Sequence, residues 1–168
     1  MPNAKYQLED FLGIINDGCK KLVIAIHEML LQDGYKSKIQ ITKSTGLQLS
    51  YHQPKIKTVA GVILIFFLHE DELVVRIYGK NHEAYHKVLD GFPESIIKQI
   101  DAASDCVKFI DPQRCWKGCG GYSFYIRGKQ YQKCITNCFQ ISFNAANMPH
   151  LLEVIKCESK ARLAEEWS

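Results

Sequence analysis

The chain is predicted to be an α+β domain, with a mainly antiparallel sheet and helices packed on one face. Three observations carry this. A three-four spacing of apolar residues opens the chain, a period of two takes over for four segments, and helical patterns then bracket a second strand region. At 168 residues with 46% hydrophobic content, the chain has enough apolar mass for one sizeable core.

The elements follow in order. Leu8, Phe11, Leu12, Ile15, Cys19, Leu22, Ile26 and Met29 predict one helix over 8–31, which Asp33-Gly34 stops and Gly18 can divide. Residues 38–42 and 47–51 alternate about a turn at Thr45-Gly46. Residues 59–68 are a continuous β-branched and aromatic run, which suits a central strand. His69-Glu70-Asp71 turns the chain into a return strand over 73–78. These four strands are expected to form a meander.

Two short helices are expected next, one capped by Asn81 and one started by Pro93. Residues 122–126 and 131–135 predict a hairpin about Arg127-Gly128-Lys129. Phe139, Ile141 and Phe143 predict one more strand. Asn147-Met148-Pro149 opens a last helix to about residue 165, on which Glu158 and Arg162 have the spacing of an i,i+4 ion pair. No linker or repeat interrupts the pattern. One domain over 1–168 is expected, with a basic, cysteine-containing subdomain over 106–143.

The N-terminus lacks a basic region followed by an apolar run, and the most apolar stretch is too short to span a bilayer. A cytoplasmic protein without a membrane partner is therefore expected. Its seven cysteines are an odd number, and cytosolic thiols are normally reduced, so a full disulfide framework is not expected.

Charge and cysteine coincide. Residues 112–152 contain no Asp or Glu and carry Arg114, Lys117, Arg127, Lys129 and Lys133, a local charge of +5 in a chain of net +3. Cys106, Cys115, Cys119, Cys134 and Cys138 lie in or beside the window. The plain expectation for them is buried free thiols. The functional alternative is structural zinc, held by Cys115, Cys119, Cys134 and Cys138, with Cys106 as a substitute ligand. Gly118, Gly120 and Gly121 would supply the positive φ of a tight ligand loop. Residues four apart on a straight strand are ~13 Å apart, so Cys134 and Cys138 share an ion only if Thr136-Asn137 bends the chain. A redox pair of Cys115 and Cys119, activated by Arg114 and Lys117, is a further alternative.

Aromatic residues interleave with these charges. Arg114, Trp116, Lys117, Lys129 and Lys133 are expected to form a contact face for an anionic ligand or nucleic acid, since single-stranded sites combine stacking surfaces with phosphate-seeking cations.

One string stands apart. His82-Glu83-Ala84-Tyr85-His86 matches His-Glu-x-x-His and resembles the zinc metalloprotease signature. The resemblance covers five residues. It implies that His82 and His86 ligate zinc from one helix face and that Glu83 is the general base. No glycine-plus-histidine extension follows, so the third ligand would come from Asp90, Glu94, Asp101 or Asp105. Solvated surface histidines are the competing expectation. On balance the sequence points to a non-enzymatic binding or regulatory domain, with the zinc hydrolase and the thiol redox protein as alternatives.

Overall fold

The computed structural model describes residues 5–166. Helix α1 (Leu8–Leu12) and helix α2 (Asp17–Gln32) precede β1 (Lys36–Thr42), β2 (Gly46–His52), β3 (Val62–His69) and β4 (Glu72–Ile77). Then come α3 (His86–Asp90), α4 (Glu94–Ala102), β5 (Tyr122–Ile126), β6 (Lys129–Lys133), β7 (Gln140–Ser142) and α5 (Met148–Glu166). β1 to β4 form the antiparallel meander, and β7 joins β4 to give the order β1-β2-β3-β4-β7. β5 and β6 form a separate two-stranded sheet. This is the predicted α+β architecture.

Register explains the core. Leu49, Phe66, Val75 and Ile141 lie in one row across the sheet, and Tyr51, Leu64 and Ile77 lie in the next. All seven are 0% exposed. They share a core with Val23, Ile26 and Leu30 of α2 and with Leu151, Val154 and Ile155 of α5. Helix α4 lies along the outer edge of β7, where the Gln99 side chain accepts a bond from the Ser142 amide at 2.9 Å. That contact covers one sheet edge, and the other edge, β1, is unpaired.

Several boundaries differ from the sequence expectation. The first helix is two helices, broken at 13–16, and the Asn16 side chain caps α2 by accepting from the Gly18 amide at 2.7 Å. Gly18 therefore sits inside the first turn of α2 and does not mark the break. Val59–Gly61 is a 3-10 turn, so the central strand begins at Val62. The hairpin turns on two residues, Arg127-Gly128, both at positive φ, the backbone that matches strand twist in short hairpins. Asn81 does not cap a helix with its side chain.

That side chain reaches α5 instead. Asn81 donates to Glu158 through its amide nitrogen at 3.2 Å and its backbone N–H at 3.1 Å, and the Tyr85 hydroxyl donates to the same carboxylate at 2.9 Å. Arg162 donates to Glu158 at 2.8 Å, to Gln53 at 3.3 Å, and to the carbonyls of Ala60 (3.2 Å) and Tyr78. The pair has the predicted i,i+4 spacing but is buried, Glu158 at 0% and Arg162 at 2% exposure. Burial alone would raise the Glu158 carboxyl. The Arg162 hydrogen bond and charge, with the bonds from Asn81 and Tyr85, outweigh it and hold Glu158 below its ordinary range.

Removing one partner of a buried pair leaves the other charge desolvated and uncompensated. Arg162→Met is expected to lower unfolding stability by about 3–5 kcal/mol. The double variant Glu158→Gln/Arg162→Met is expected to lose less than the sum of its single changes. Urea denaturation at pH 7 reads both, and additive losses would show that the two side chains act independently.

Candidate functional site

The loop at 114–121 is built around Trp116 and two glycines. A Cβ on Gly118 would stand 1.9 Å from an atom of the Trp116 ring, so the indole lies directly over a residue with no side chain. Gly121 has φ +67°, and a Cβ there would come within 2.7 Å of the Cys106 sulfur. Of the three glycines expected to need positive φ, only Gly121 adopts it; Gly118 is there for room.

A cleft of about 270 Å³ separates this loop from the end of the main sheet. Trp116, Tyr122, Tyr78, Ile135 and Val59 line it, Arg162 lies at its base, and Lys80 reaches it from the other side. Lys80 pairs with Glu165 at 3.3 Å. Trp116 is 56% exposed, while Tyr122 and Tyr78 are buried at 8% each. Arg114 and Lys117 flank the indole in sequence, both exposed, and neither pairs with an acidic side chain among the described residues.

The five thiols expected to act together are divided. Cys115 and Cys119 interact, and Cys106 lies buried beneath Gly121 close to them. Cys134 and Cys138 belong to another turn. The chain does bend there, with the Cys138 amide donating to the Cys134 carbonyl at 3.0 Å. The two thiols end in different surroundings. Cys134 contacts the Thr136 hydroxyl at 3.1 Å on the partly exposed side, while Cys138 enters the core at 0% exposure. Among the described residues, no group of three or more His, Cys, Asp and Glu side chains is arranged to hold a metal ion. Burial and the adjacent Cys119 thiol push the Cys115 thiol up, away from the thiolate expected beside Arg114 and Lys117.

The two histidines of the His-Glu-x-x-His string are also separated. The alignment of residues i and i+4 needs an α-helix, but His82–Tyr85 is a 3-10 turn and α3 begins only at His86. His82 points inward at 8% exposure, stacked at 4.8 Å on Phe124 and 5.5 Å on Phe139. His86 and Glu83 are exposed, and the His86 ring meets the Glu83 carbonyl at 3.1 Å. Of the third ligands considered, Asp90, Glu94 and Asp101 bind hairpin residues and Asp105 pairs with Lys133.

The hairpin charges are spent within the fold. Arg127 donates to the carbonyls of Asp90 and Phe92 and pairs with Glu94 at 3.0 Å, which docks β5 and β6 onto α3 and α4. Lys129 pairs with Asp101 at 2.7 Å and lies over the Tyr131 ring. Lys133 is buried at 6% exposure, donates to the carbonyls of Asp101 and Ala103, and pairs with Asp105 at 2.9 Å. The expected contact face therefore contracts to Arg114, Trp116 and Lys117. The acids that neutralise the others stand just outside the acid-free window, which is why a count inside the window overstates the free charge.

No family model, curated protein or solved structure matches the chain. No helix among the described residues is long and apolar enough to cross a membrane.

Burial drives the His82 imidazole from 6.5 down to about 4, against a smaller opposing pull from Glu158. Between those values the unfolded chain binds the extra proton, so acid weakens the fold by up to about 1.4 kcal/mol per pH unit from this group. The Nε2 atom is also buried without a hydrogen-bond partner. His82→Phe is expected to keep the aromatic stack and to reduce the stability lost between pH 7.5 and pH 5. Denaturation curves at the two pH values check this, and an unchanged loss would count against a buried neutral imidazole.

Proposed function

We propose that the chain is a non-enzymatic binding domain and that the cleft beside Trp116 takes an anionic ligand carrying a flat ring. One observation carries this reading. Trp116 leaves more than half its surface open, at the mouth of a cleft, between two basic residues that have no acidic partner within 4 Å among the described residues. An indole face stacks a planar ring, and Arg114 and Lys117 attract its negative charge. Tyr78, Tyr122 and Ile135 line an apolar pocket, and the Arg162–Glu158 pair fixes its base.

Catalysis through Glu83 is not part of this reading, because His82 and His86 point to different surroundings. Thiol redox chemistry is not part of it either, because Cys115 is pushed toward the unreactive thiol form.

Adenosine 5′-monophosphate is a suitable probe, since it joins a ring to a phosphate. With Trp167→Phe, Trp116 is the sole tryptophan, and its fluorescence is expected to quench saturably on titration. Arg114→Gln/Lys117→Gln is expected to weaken the apparent affinity at least tenfold, and adenosine without phosphate to bind more weakly than the nucleotide. No change in emission at millimolar nucleotide would contradict the proposal.

A further inference from the structure

The helix-free face of the main sheet holds the larger unpaired positive charge. Residues 35–68 contain no Asp or Glu, and carry Lys36, Lys38, Lys43, Lys55 and Lys57. None of these five lysines has an acidic partner within 4 Å among the described residues. This stretch equals the 112–152 window in charge; Lys55 lies on the α5 side, in a pocket it shares with Asp33 and Glu166, and Lys36, Lys38 and Lys57 remain for the open face.

Register gathers two of these charges, and the β2–β3 connection brings a third. Lys36 lies opposite His52 and Lys38 opposite Ser50, so both lysines project from the face that α2 and α5 leave uncovered. Both ammonium groups, after burial, lower the His52 imidazole, which places them close to it. The β2–β3 connection then rises beside the sheet and makes a groove of about 470 Å³, with Lys57 and Val59 on one wall and Lys38, Ser50, His52 and Ile65 across it. Val59 also lines the Trp116 cleft, so the groove and the cleft meet at the Val59–Gly61 turn.

We infer that this groove is a docking surface for single-stranded nucleic acid. Its charge complements a phosphate backbone and repels cationic partners. Lys36 and Lys38 are two residues apart on one strand, about 6.8 Å, a step that matches successive phosphates on an extended single strand. The same face offers planar groups for bases. His52 is half-buried, and the half-buried Arg76 guanidinium lies over the Phe67 ring at 5.3 Å, held there by its bonds to the Gln140 side chain at 3.1 and 2.7 Å. Gln40 adds an uncharged donor and acceptor for base edges, while the Gln140 oxygen is taken up by Arg76. An acidic peptide would use the lysines but has no need of the planar groups. A duplex is too broad for a groove walled by one loop.

The inference concerns a different face from the cleft and stands or falls apart from it. The test is fluorescence anisotropy of the full chain with a labelled twelve-nucleotide oligouridylate at rising salt. Lys36→Gln/Lys38→Gln/Lys57→Gln is expected to weaken binding at least tenfold and to flatten its salt dependence, with an unchanged thermal midpoint. Lys156→Gln/Lys160→Gln, on exposed positions of α5, is expected to leave binding within twofold. A loss on Trp116→Ala with none in the triple variant would keep the cleft and overturn the groove. No binding at low salt, an equal loss in the α5 control, equal affinity for a duplex, or equal competition by polyglutamate would each overturn the inference.

Discussion

The buried Glu158–Arg162 pair is the contact on which the rest of the arrangement depends. Four stretches of chain meet on it: the end of β2 through Gln53, the Val59–Gly61 turn through the Ala60 carbonyl, the end of β4 through Tyr78, and the turn at 81–85 through Asn81 and Tyr85. The first three of these border the Trp116 cleft or the sheet groove. The Val59–Gly61 turn divides the Trp116 cleft from the sheet groove, and Arg162 lines the cleft itself. A buried ion pair adds little net stability compared with apolar packing, but it penalises every arrangement that leaves one charge unpaired. Here it sets where the two grooves lie relative to each other.

A second constraint is the docking of the hairpin. Phe124 of β5 packs on His82 at 4.8 Å and on Phe139 at 5.3 Å, and Tyr131 of β6 stacks on Phe124 at 5.5 Å. Arg127, Lys129 and Lys133 then fasten the outside to Asp90, Glu94, Asp101 and Asp105. Charge that looks available along the chain is thereby used to hold a subdomain in place. The lysines of β1 and of the β2–β3 connection have no acidic partner within 4 Å among the described residues.

Much of the fold was legible from periodicity. The meander, the hairpin and the last helix follow from alternation and three-four spacing, because one buried face imposes each pattern. What escaped was local chemistry. The break at 13–16 depends on Asn16 competing for the Gly18 amide, while Phe11 and Ile15 keep their buried positions on either side of it. The Val59–Gly61 turn runs straight into the apolar strand that follows it and is held by a contact from Arg162 a hundred residues away. The candidate site was legible only in part. Trp116 and its basic neighbours were visible as a motif, but the pairing of Lys129 and Lys133 was not, since it needs the tertiary placement of α4. The cysteines and the His-Glu-x-x-His string misled for the same reason: spacing along the chain does not say which way a side chain points. The acid-free stretch at 35–68 was present in the sequence, and a charge count over every window would have found it.

The most direct measurement is a two-dimensional ¹⁵N NMR titration of the whole chain with a short single-stranded oligonucleotide. Shifts are expected to concentrate at 36–40, 48–52, 57–62 and 114–122, with the hairpin residues 127–133 little changed. Shifts centred on 127–133, with the sheet face and the Trp116 loop silent, would contradict it.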